Sequence, residues 1–439
     1  MTHTLGVFDG QARVGKVEFE PMTETFSFHY AEAWKTSPQA YPLSPVFPLN
    51  ATPDGFGSIR RFIENLLPEG RVLDIVASSQ HIAKNNIFGL IREIGKETTG
   101  ALSFLPEDTL PARDDSPLRA IPYDELRQRL AERETIPLSA WDGRVRLSIA
   151  GYQDKLAVYM QDDKLFLSND RYASTHILKP EPLDERMAGL VVNEHFCMQL
   201  AGHMKLPVAK VAIQRLPAPV LVVERFDRKR IANGVCRVHT LDACQALDLP
   251  VSYKYERNFG SGRDVRQIRD GVSFKRLFSI TRFTPKKAVA QLGLLRWALL
   301  QYVLGNADAH GKNISFYSRR EGLELAPFYD LVSVVQFPGV THELAMAFGD
   351  EFDLDAIRPF DFADFAVQTS IPRTLLAREM ARMAKDVEAA AEKQAASPEY
   401  LPSEQAQVAR LRDFVKSQAK SLRLAAKPML AIPEDELHS

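Results

Sequence analysis

Residues 305–313, GNADAHGKN, follow the apolar run LGLLRWALLQYVL at 292–304 and set Asp308, His310, Lys312 and Asn313 around Gly305 and Gly311. A helix that closes on such a turn either caps itself or presents polar groups to a ligand, and both glycines suit a turn. Downstream, LAPFYDLVSV at 325–334 reads as an apolar β-like run delivering one acid, Asp330. Asp308, Asn313 and Asp330 then form the pattern Asp-x-x-x-x-Asn followed by a strand-borne Asp. Phosphoryl transfer with magnesium needs such a set: one carboxylate orients the attacking hydroxyl, while an amide oxygen and a second carboxylate hold the metal. A helix cap by Asp308 and a plain turn at Asn313 is the structural alternative.

The chain has 439 residues, 45% of them hydrophobic, enough for two or three domains with large cores. Its 55 Lys and Arg nearly cancel 56 Asp and Glu, so no global field favours nucleic acid or an anionic membrane. The run RFDRKR at 225–230 is a local basic patch or a solvated turn. Cys197, Cys236 and Cys244 are too few and too irregular for a disulfide framework or a thiolate zinc site. The start, MTHTLGVFDGQARVG, lacks a basic segment followed by an apolar core, and Arg296 and Gln301 interrupt the apolar run before Gly305. A cytoplasmic protein without a membrane span is the expectation.

Short β-like runs (TLGVFDG, RVGKVEFE, TFSFHYA) and helix-like stretches ending in GALSFLPE make residues 1–106 a small accessory α/β subdomain. Residues 107–120, rich in Pro and Asp, read as a linker. Residues 121–228 open with a short polar helix, DELRQRLAERET, and continue as strands, from VRLSIAG to PVLVVERFD, around one helix, GLVVNEHFCMQLAGHM. Residues 229–428 read as helical, with TLDACQALDL, FKRLFSI, the helix before Gly305 and two long helices, and 429–439 as a mobile tail. The expected class is α+β: a protein-kinase-like bilobal fold with a β-rich N-terminal lobe, which includes the accessory subdomain, and a mainly helical C-terminal lobe.

Other parts of a kinase occur in the right order. Lys179 is the one cation on the buried-looking strand THILKP, placed to pair with ATP phosphates or, alternatively, to snorkel from an edge strand. Glu194, in the first turn of the next helix, could orient Lys179 or simply favour the helix N-terminus. Glu224, Arg225 and Phe226 follow a buried strand at the lobe junction, where backbone groups could meet an adenine edge. LSIAGYQDKL offers a turn suited to close over phosphates, with Lys155 near by, although one glycine is a poor phosphate cradle.

SIAGYQDKLAVY, THILKP, NEHFCMQLA, VERFDR, DACQAL, GNADAHGKN and PFYDLVS resemble the ordered signature strings of the HipA family, serine/threonine kinases that act as toxins of bacterial toxin–antitoxin systems. FIENLLPEG and LIREIGKETTGALSFLPED resemble that family's accessory subdomain. The resemblance implies that Asp308 is the catalytic aspartate and that Asn313 and Asp330 are Mg2+ ligands. It implies an ATP site drawing on Ala150, Gly151, Gln153 and Lys155 of the phosphate loop, on Lys179, on Glu224, Arg225 and Phe226, and on His310 and Lys312. Ser148 matches the family's autophosphorylated serine. A phosphate there would add nearly two negative charges beside the nucleotide. Also implied are a HipB-like helix-turn-helix antitoxin, DNA binding only through that complex, and a protein substrate such as an aminoacyl-tRNA synthetase, whose phosphorylation would arrest growth.

Compared with better-known protein kinases, the chain lacks G-x-G-x-x-G, has Gly-Asn-Ala before the Asp, and has Leu-Val after Asp330. An activation-loop switch of the usual kind is therefore not supported. Two other readings remain: a co-repressor held by a DNA-binding antitoxin with little catalysis, and a phosphohydrolase with Asp308, His310 and Asp330 as metal ligands. The second leaves Lys179 and Glu224 without a role.

Overall fold

Period-two patterning sets the first sheet. In TFSFHY, Phe26 and Phe28 are buried while Ser27 and His29 are not, as a half-buried strand requires. The computed structural model describes residues 2–50, 57–111, 117–138, 140–142, 144–145 and 154–437. Strands β1 (His3–Asp9), β2 (Ala12–Glu20), β3 (Thr25–Tyr30) and β4 (Leu102–Pro106) form an antiparallel sheet in the order β3-β2-β1-β4. Helices α1 (Glu32–Thr36), α2 (Ser58–Glu64), α3 (Gly70–Ser79) and α4 (Ile87–Ile94) lie between β3 and β4 in sequence. Leu5, Val17, Phe26, Phe28, Phe62, Leu90 and Phe104 share one core there.

A second sheet has six strands in the order β11-β12-β10-β8-β9-β5. These are β5 (Ala120–Ile121), β8 (Leu156–Gln161), β9 (Lys164–Phe166), β10 (His176–Pro180), β11 (Val211–Leu216) and β12 (Ala218–Glu224). Helix α5 (Tyr123–Ala131) and the hairpin β6 (Ala140–Trp141)/β7 (Arg144–Val145) precede β8. Strand β10 lies inside the sheet, where Lys179 pairs with Leu221 of β12, so the edge-strand reading of that lysine is excluded. The hairpin β13 (Arg228–Ile231)/β14 (Gly234–Arg237) follows, and β15 (Thr240–Asp242), β16 (Ser315–Arg319) and β17 (Gly322–Leu325) make a three-stranded sheet.

The chain divides into two compact units that interleave in sequence. Unit 1 holds residues 1–180, 214–241 and 316–324; unit 2 holds 181–213, 242–315 and 325–439. The linear segments 121–228 and 229–428 expected as lobes therefore do not coincide with the units: the helix after Lys179 groups with the later helices, because its face is buried among them. Unit 2 contains α6 (Leu190–His203), α7 (Ala243–Ala246), α8 (Phe274–Ser279), α9 (Lys287–Leu304), α10 (Pro359–Gln368), α11 (Arg373–Ala395) and α12 (Gln405–Leu430), with the pair β18 (Glu343–Phe348)/β19 (Glu351–Asp353). Helices α11 and α12 form a hairpin that packs on α6 and α9. Phe274, Trp297, Tyr302, Phe348, Phe362 and Phe365 interlock as tilted and edge-on rings, an arrangement that adds to simple burial.

Four local expectations change. TLDACQALDL is not one helix: Thr240–Asp242 is strand β15, and α7 starts only after Asp242, which caps it. The run to Asp330 is not a strand beyond Leu325; an isolated bridge from Phe328 to Val208 is its only pairing among the described residues. Helix α12 runs past residue 428 to Leu430, and Arg373 donates to the Ile432 carbonyl just beyond it. The basic run at 225–230 is not a solvated turn at its centre, since Arg225 and Asp227 are buried while Lys229 and Arg230 are exposed.

Instead, within unit 1, Arg225 donates from Nε and Nη2 to the Asp227 carboxylate at 2.9 and 2.7 Å and from Nη1 to Ser174 at 3.0 Å. Arg228 donates to Asp227 at 2.7 Å and to the Gly100 carbonyl at 3.0 Å, and Ser174 donates to Glu97 at 2.8 Å. Burial pushes the Asp227 carboxyl up, but Arg225 and Arg228 outweigh it and hold the group well below the usual carboxylate range. Glu97 is likewise held low by Arg228, Arg225 and Arg237 against its burial. The cluster ties the segment before β4 to the segment after β12, which makes the run a structural element.

Candidate active site

Helix α9 ends at Gly305 because that residue adopts φ +61, and its N–H closes the helix on the carbonyls of Gln301 and Tyr302. A Cβ there would lie 2.6 Å from Val335 Cγ2 and 2.9 Å from the Phe414 ring. Gly311 serves packing: a Cβ would meet Val272 at 2.6 Å and Cys244 Sγ at 3.2 Å. The opening stretch thus caps its helix and also presents polar groups. Asn306 steers the exit, with its Nδ2 donating to Gln301 Oε1 at 2.8 Å and its Oδ1 accepting the Asp308 N–H at 3.1 Å.

Asp308 does not cap α9. Its carboxylate lies beyond the negative end of the helix, where a negative charge gains nothing from the dipole, and its side chain is 51% exposed. Asn313 closes the loop, donating from Nδ2 to the Asp308 backbone carbonyl at 2.8 Å. With its nitrogen so engaged, the Asn313 amide oxygen is the atom that can meet a cation. Tyr255 donates its hydroxyl to Asp308 Oδ1. His310 accepts the Lys312 N–H at Nδ1 (3.2 Å), which puts its proton on Nε2, 3.9 Å from the same Oδ1.

Lys312 is buried and its ammonium lies 2.7 Å from Asp242 Oδ2, so the charge expected to meet ATP already has a carboxylate partner. Asp242 in turn makes a capping box with Gln245 at the start of α7. Tyr329 ties the segment bearing Asp330 to the loop after Asp308, donating to the Lys312 carbonyl at 2.6 Å and sharing a hydrogen bond with Ser315 Oγ at 2.7 Å.

Asp330 is half-buried and held at φ +56, a left-handed conformation that costs a non-glycine residue free energy. The chain is pinned on both sides of it. Phe328 donates to the Pro207 carbonyl at 2.7 Å and accepts from Ala209 at 2.9 Å. Asn193 of α6, fully buried, grips the Ser333 backbone, accepting its N–H at 2.8 Å and donating to its carbonyl at 3.0 Å.

Glu194 lies in the second turn of α6, not the first, and is buried. Its reading as a partner of the helix N-terminus is therefore corrected. That role belongs to Glu181, whose carboxylate accepts N–H groups of Gly189, of Leu190 at 2.9 Å and of Val191 at 3.2 Å.

In unit 1, Lys179 is buried on β10 and Lys155 is half-buried just before β8. Glu224 is exposed at the end of β12. The Arg225 guanidinium is committed to Asp227 and Ser174, and its amide donates to the Thr175 carbonyl at 2.9 Å. The Phe226 carbonyl accepts from the Tyr317 hydroxyl at 3.1 Å. Ser148, Ala150, Gly151 and Gln153 lie outside the described residues.

Sequence reasoning missed Tyr255, Asn193, Glu181 and Asn306, whose roles depend on what the fold brings to them. Asp242 was findable, since Asp-x-x-Gln is a capping-box signature. Among the described residues no three His, Cys, Asp or Glu side chains gather as a metal-ligating group, so Asp308, His310 and Asp330 do not form the centre that the phosphohydrolase reading needs.

The HipA N-terminal domain profile matches residues 5–105 and the HipA-like C-terminal domain profile matches residues 147–395. The serine/threonine-protein kinase toxin HipA of Shewanella oneidensis is 41% identical over 389 residues, 88% of each chain. The protein Y4mE of Sinorhizobium fredii is 34% identical over 406 residues, 91% of this chain and 93% of that one. Among solved structures, a complex of the Shewanella oneidensis toxin–antitoxin proteins HipA and HipB with their operator DNA contains a chain that matches with a TM-score of 0.88 and 38% identity, covering 98% of this chain and 100% of that one.

Proposed function

Because this chain belongs to the HipA family and is a serine/threonine-protein kinase with that family's kinase-like fold, we propose that Asp308 orients the acceptor hydroxyl for attack on the γ-phosphate of ATP. The observation that carries the reading is a half-exposed carboxylate that serves no helix, held at one oxygen by Tyr255 and locked through its own carbonyl by Asn313. Asn313 and Asp330 would hold Mg2+. An amide oxygen and a carboxylate are the hard oxygen donors that ion prefers, and the strained conformation at Asp330 is the kind retained for function. Bound there, the ion would neutralise charge on the transferring phosphoryl group.

Lys179, an interior-strand cation, is assigned to the ATP phosphates, with Lys155 and the loop containing Ala150, Gly151 and Gln153. Glu224 and Phe226 are assigned to the adenine through their backbone. Arg225 and Lys312 are assigned as supports, since each already has a carboxylate partner. Autophosphorylation at Ser148 is proposed on the family resemblance.

In the cell the chain would act as the toxin of a toxin–antitoxin pair, bound by a HipB-like antitoxin and reaching DNA through it, and would arrest growth by phosphorylating a translation component such as an aminoacyl-tRNA synthetase. The similarity to a chain solved with HipB and operator DNA supports the partner. A cytoplasmic location is proposed on the family resemblance; no helix among the described residues is long and apolar enough to cross a membrane.

Asp308→Asn tests the assignment, since it removes the charge and keeps the shape. Transfer of labelled γ-phosphate should fall by at least about a hundredfold, while the affinity for ATP measured by calorimetry stays near that of the wild type. Comparable transfer by both proteins would remove Asp308 from the reaction.

A further inference from the structure

We propose that Tyr255 is a positioning residue for phosphoryl transfer: its phenol holds Oδ1 of Asp308, so that Oδ2 is the oxygen presented to the acceptor hydroxyl. This rests on the assignment of Asp308 above. An aspartate with half its side chain in solvent turns readily about its two torsions, and an acceptor hydroxyl can be aligned only if one carboxylate oxygen is fixed. Both neighbours of the carboxylate meet the same oxygen: Tyr255 donates to Oδ1, and His310 Nε2 lies 3.9 Å from it. Oδ2 has no hydrogen-bond partner among the described residues. The pair therefore divides the carboxylate into an anchored oxygen and a reactive one.

Tyr255 is itself over-determined. Its ring meets His310 edge-on at 4.9 Å, and the Lys254 ammonium sits 5.5 Å from the ring centroid. On one side the Lys254 carbonyl accepts the Gly311 N–H at 2.9 Å. On the other, Glu256 donates its N–H to Ala345 at 3.0 Å, while its buried carboxylate accepts from the Ala347 N–H at 2.9 Å and from Arg269 at 2.7 Å. Gly271 closes the segment, since a Cβ there would lie 1.7 Å from the Tyr255 carbonyl oxygen. A phenol hydrogen-bonded to the catalytic carboxylate could instead be a stand-in for substrate that leaves when substrate arrives. The pinned backbone on both sides argues against that, because the residue cannot swing away with the exposed stretch 259–264.

The same contacts recast His310, expected at the nucleotide, as a second support of Asp308. Its ring is buried and meets Tyr255 edge-on at 4.9 Å.

The test is Tyr255→Phe, which keeps the ring and removes only the donor, measured in the full chain as total turnover of γ-labelled ATP with dephosphorylated casein present, counting transfer to protein and to water. A hydrogen bond to a charged group is worth enough that kcat should fall about tenfold or more, with KM for ATP and calorimetric Mg-ATP affinity unchanged. In an Asp308→Asn background the same substitution should cause no further loss. Turnover by Tyr255→Phe equal to or above the wild type, or a loss of the same size in the Asp308→Asn background, overturns the proposal. A loss that appears in KM alone overturns it as well. Turnover that survives Asp308→Asn itself would instead sink the reading of Asp308. A thermal melt of Tyr255→Phe matching the wild type separates lost positioning from lost structure, and should the melt shift, Tyr255→His, which keeps a ring and an N–H donor, should recover part of kcat.

Discussion

At the scale of single residues, the site spends backbone strain where it presents oxygen. Asp330 sits at φ +56 although glycine would be comfortable there, and the segment around it is held by Phe328 and Ser333. Conformation and chemistry can be separated at this position. Asp330→Gly relieves the left-handed strain but adds chain freedom to the unfolded state, so the unfolding free energy should stay within about 1 kcal/mol of the wild type. Magnesium-dependent ATP binding, measured by calorimetry, should nevertheless be lost with the carboxylate. A variant that binds Mg-ATP normally would make Asp330 a residue of the turn only.

At the scale of elements, helix α6 organises the loop that bears Asp330. Its N-terminus is satisfied by Glu181, and its buried Asn193 replaces strand pairing for Ser333 with two side-chain hydrogen bonds. Asn193→Ala leaves a buried N–H and a buried carbonyl without those partners. At about 1–3 kcal/mol for each of the two stranded groups, the variant should lose roughly 2–6 kcal/mol in chemical denaturation. Mg-ATP affinity and turnover should fall together, because the loop that moves carries Asp330. Stability within experimental error of the wild type would show that water replaces the clamp at no cost.

At the scale of the molecule, unit 1 is joined across its sequence by buried polar groups as well as by apolar contact. His239 is buried, stacks on Tyr41 at 4.8 Å, and hydrogen-bonds through Nε2 to the Leu43 carbonyl at 2.9 Å. Burial, with the Arg237 charge, pushes its imidazole down to about 4, although the Leu43 hydrogen bond works the other way. The unfolded chain therefore takes up a proton near its ordinary value of about 6.5 while the folded chain does not. The resulting stabilisation is complete above about pH 6.5 and is lost as pH falls toward 4. Between pH 7 and pH 5 this single group should cost about 2 kcal/mol of stability, read by calorimetric unfolding. His239→Gln, which retains a donor for Leu43, should flatten that part of the pH dependence. Glu97 and Asp227, both held low, add their own loss only at more acidic pH, below the ordinary carboxylate range near 4.

Local chemistry was legible in the sequence. The Asp308-to-Asn313 spacing, the glycine that ends α9, the single cation on THILKP and the change from strands to helices all depend on residues close in the chain, where periodicity and turn geometry act. What stayed hidden depends on contacts across long stretches of chain: Tyr255 meets Asp308 over 53 residues, and Asn193 meets Ser333 over 140. A charged run such as RFDRKR reads as solvated until Gly100, 128 residues from Arg228, brings its carbonyl to it. Hydrophobic pattern places a segment on a strand or a helix. It does not say which distant donor will satisfy a buried polar group, and at this site that pairing decides which oxygen of Asp308 is held and which is presented.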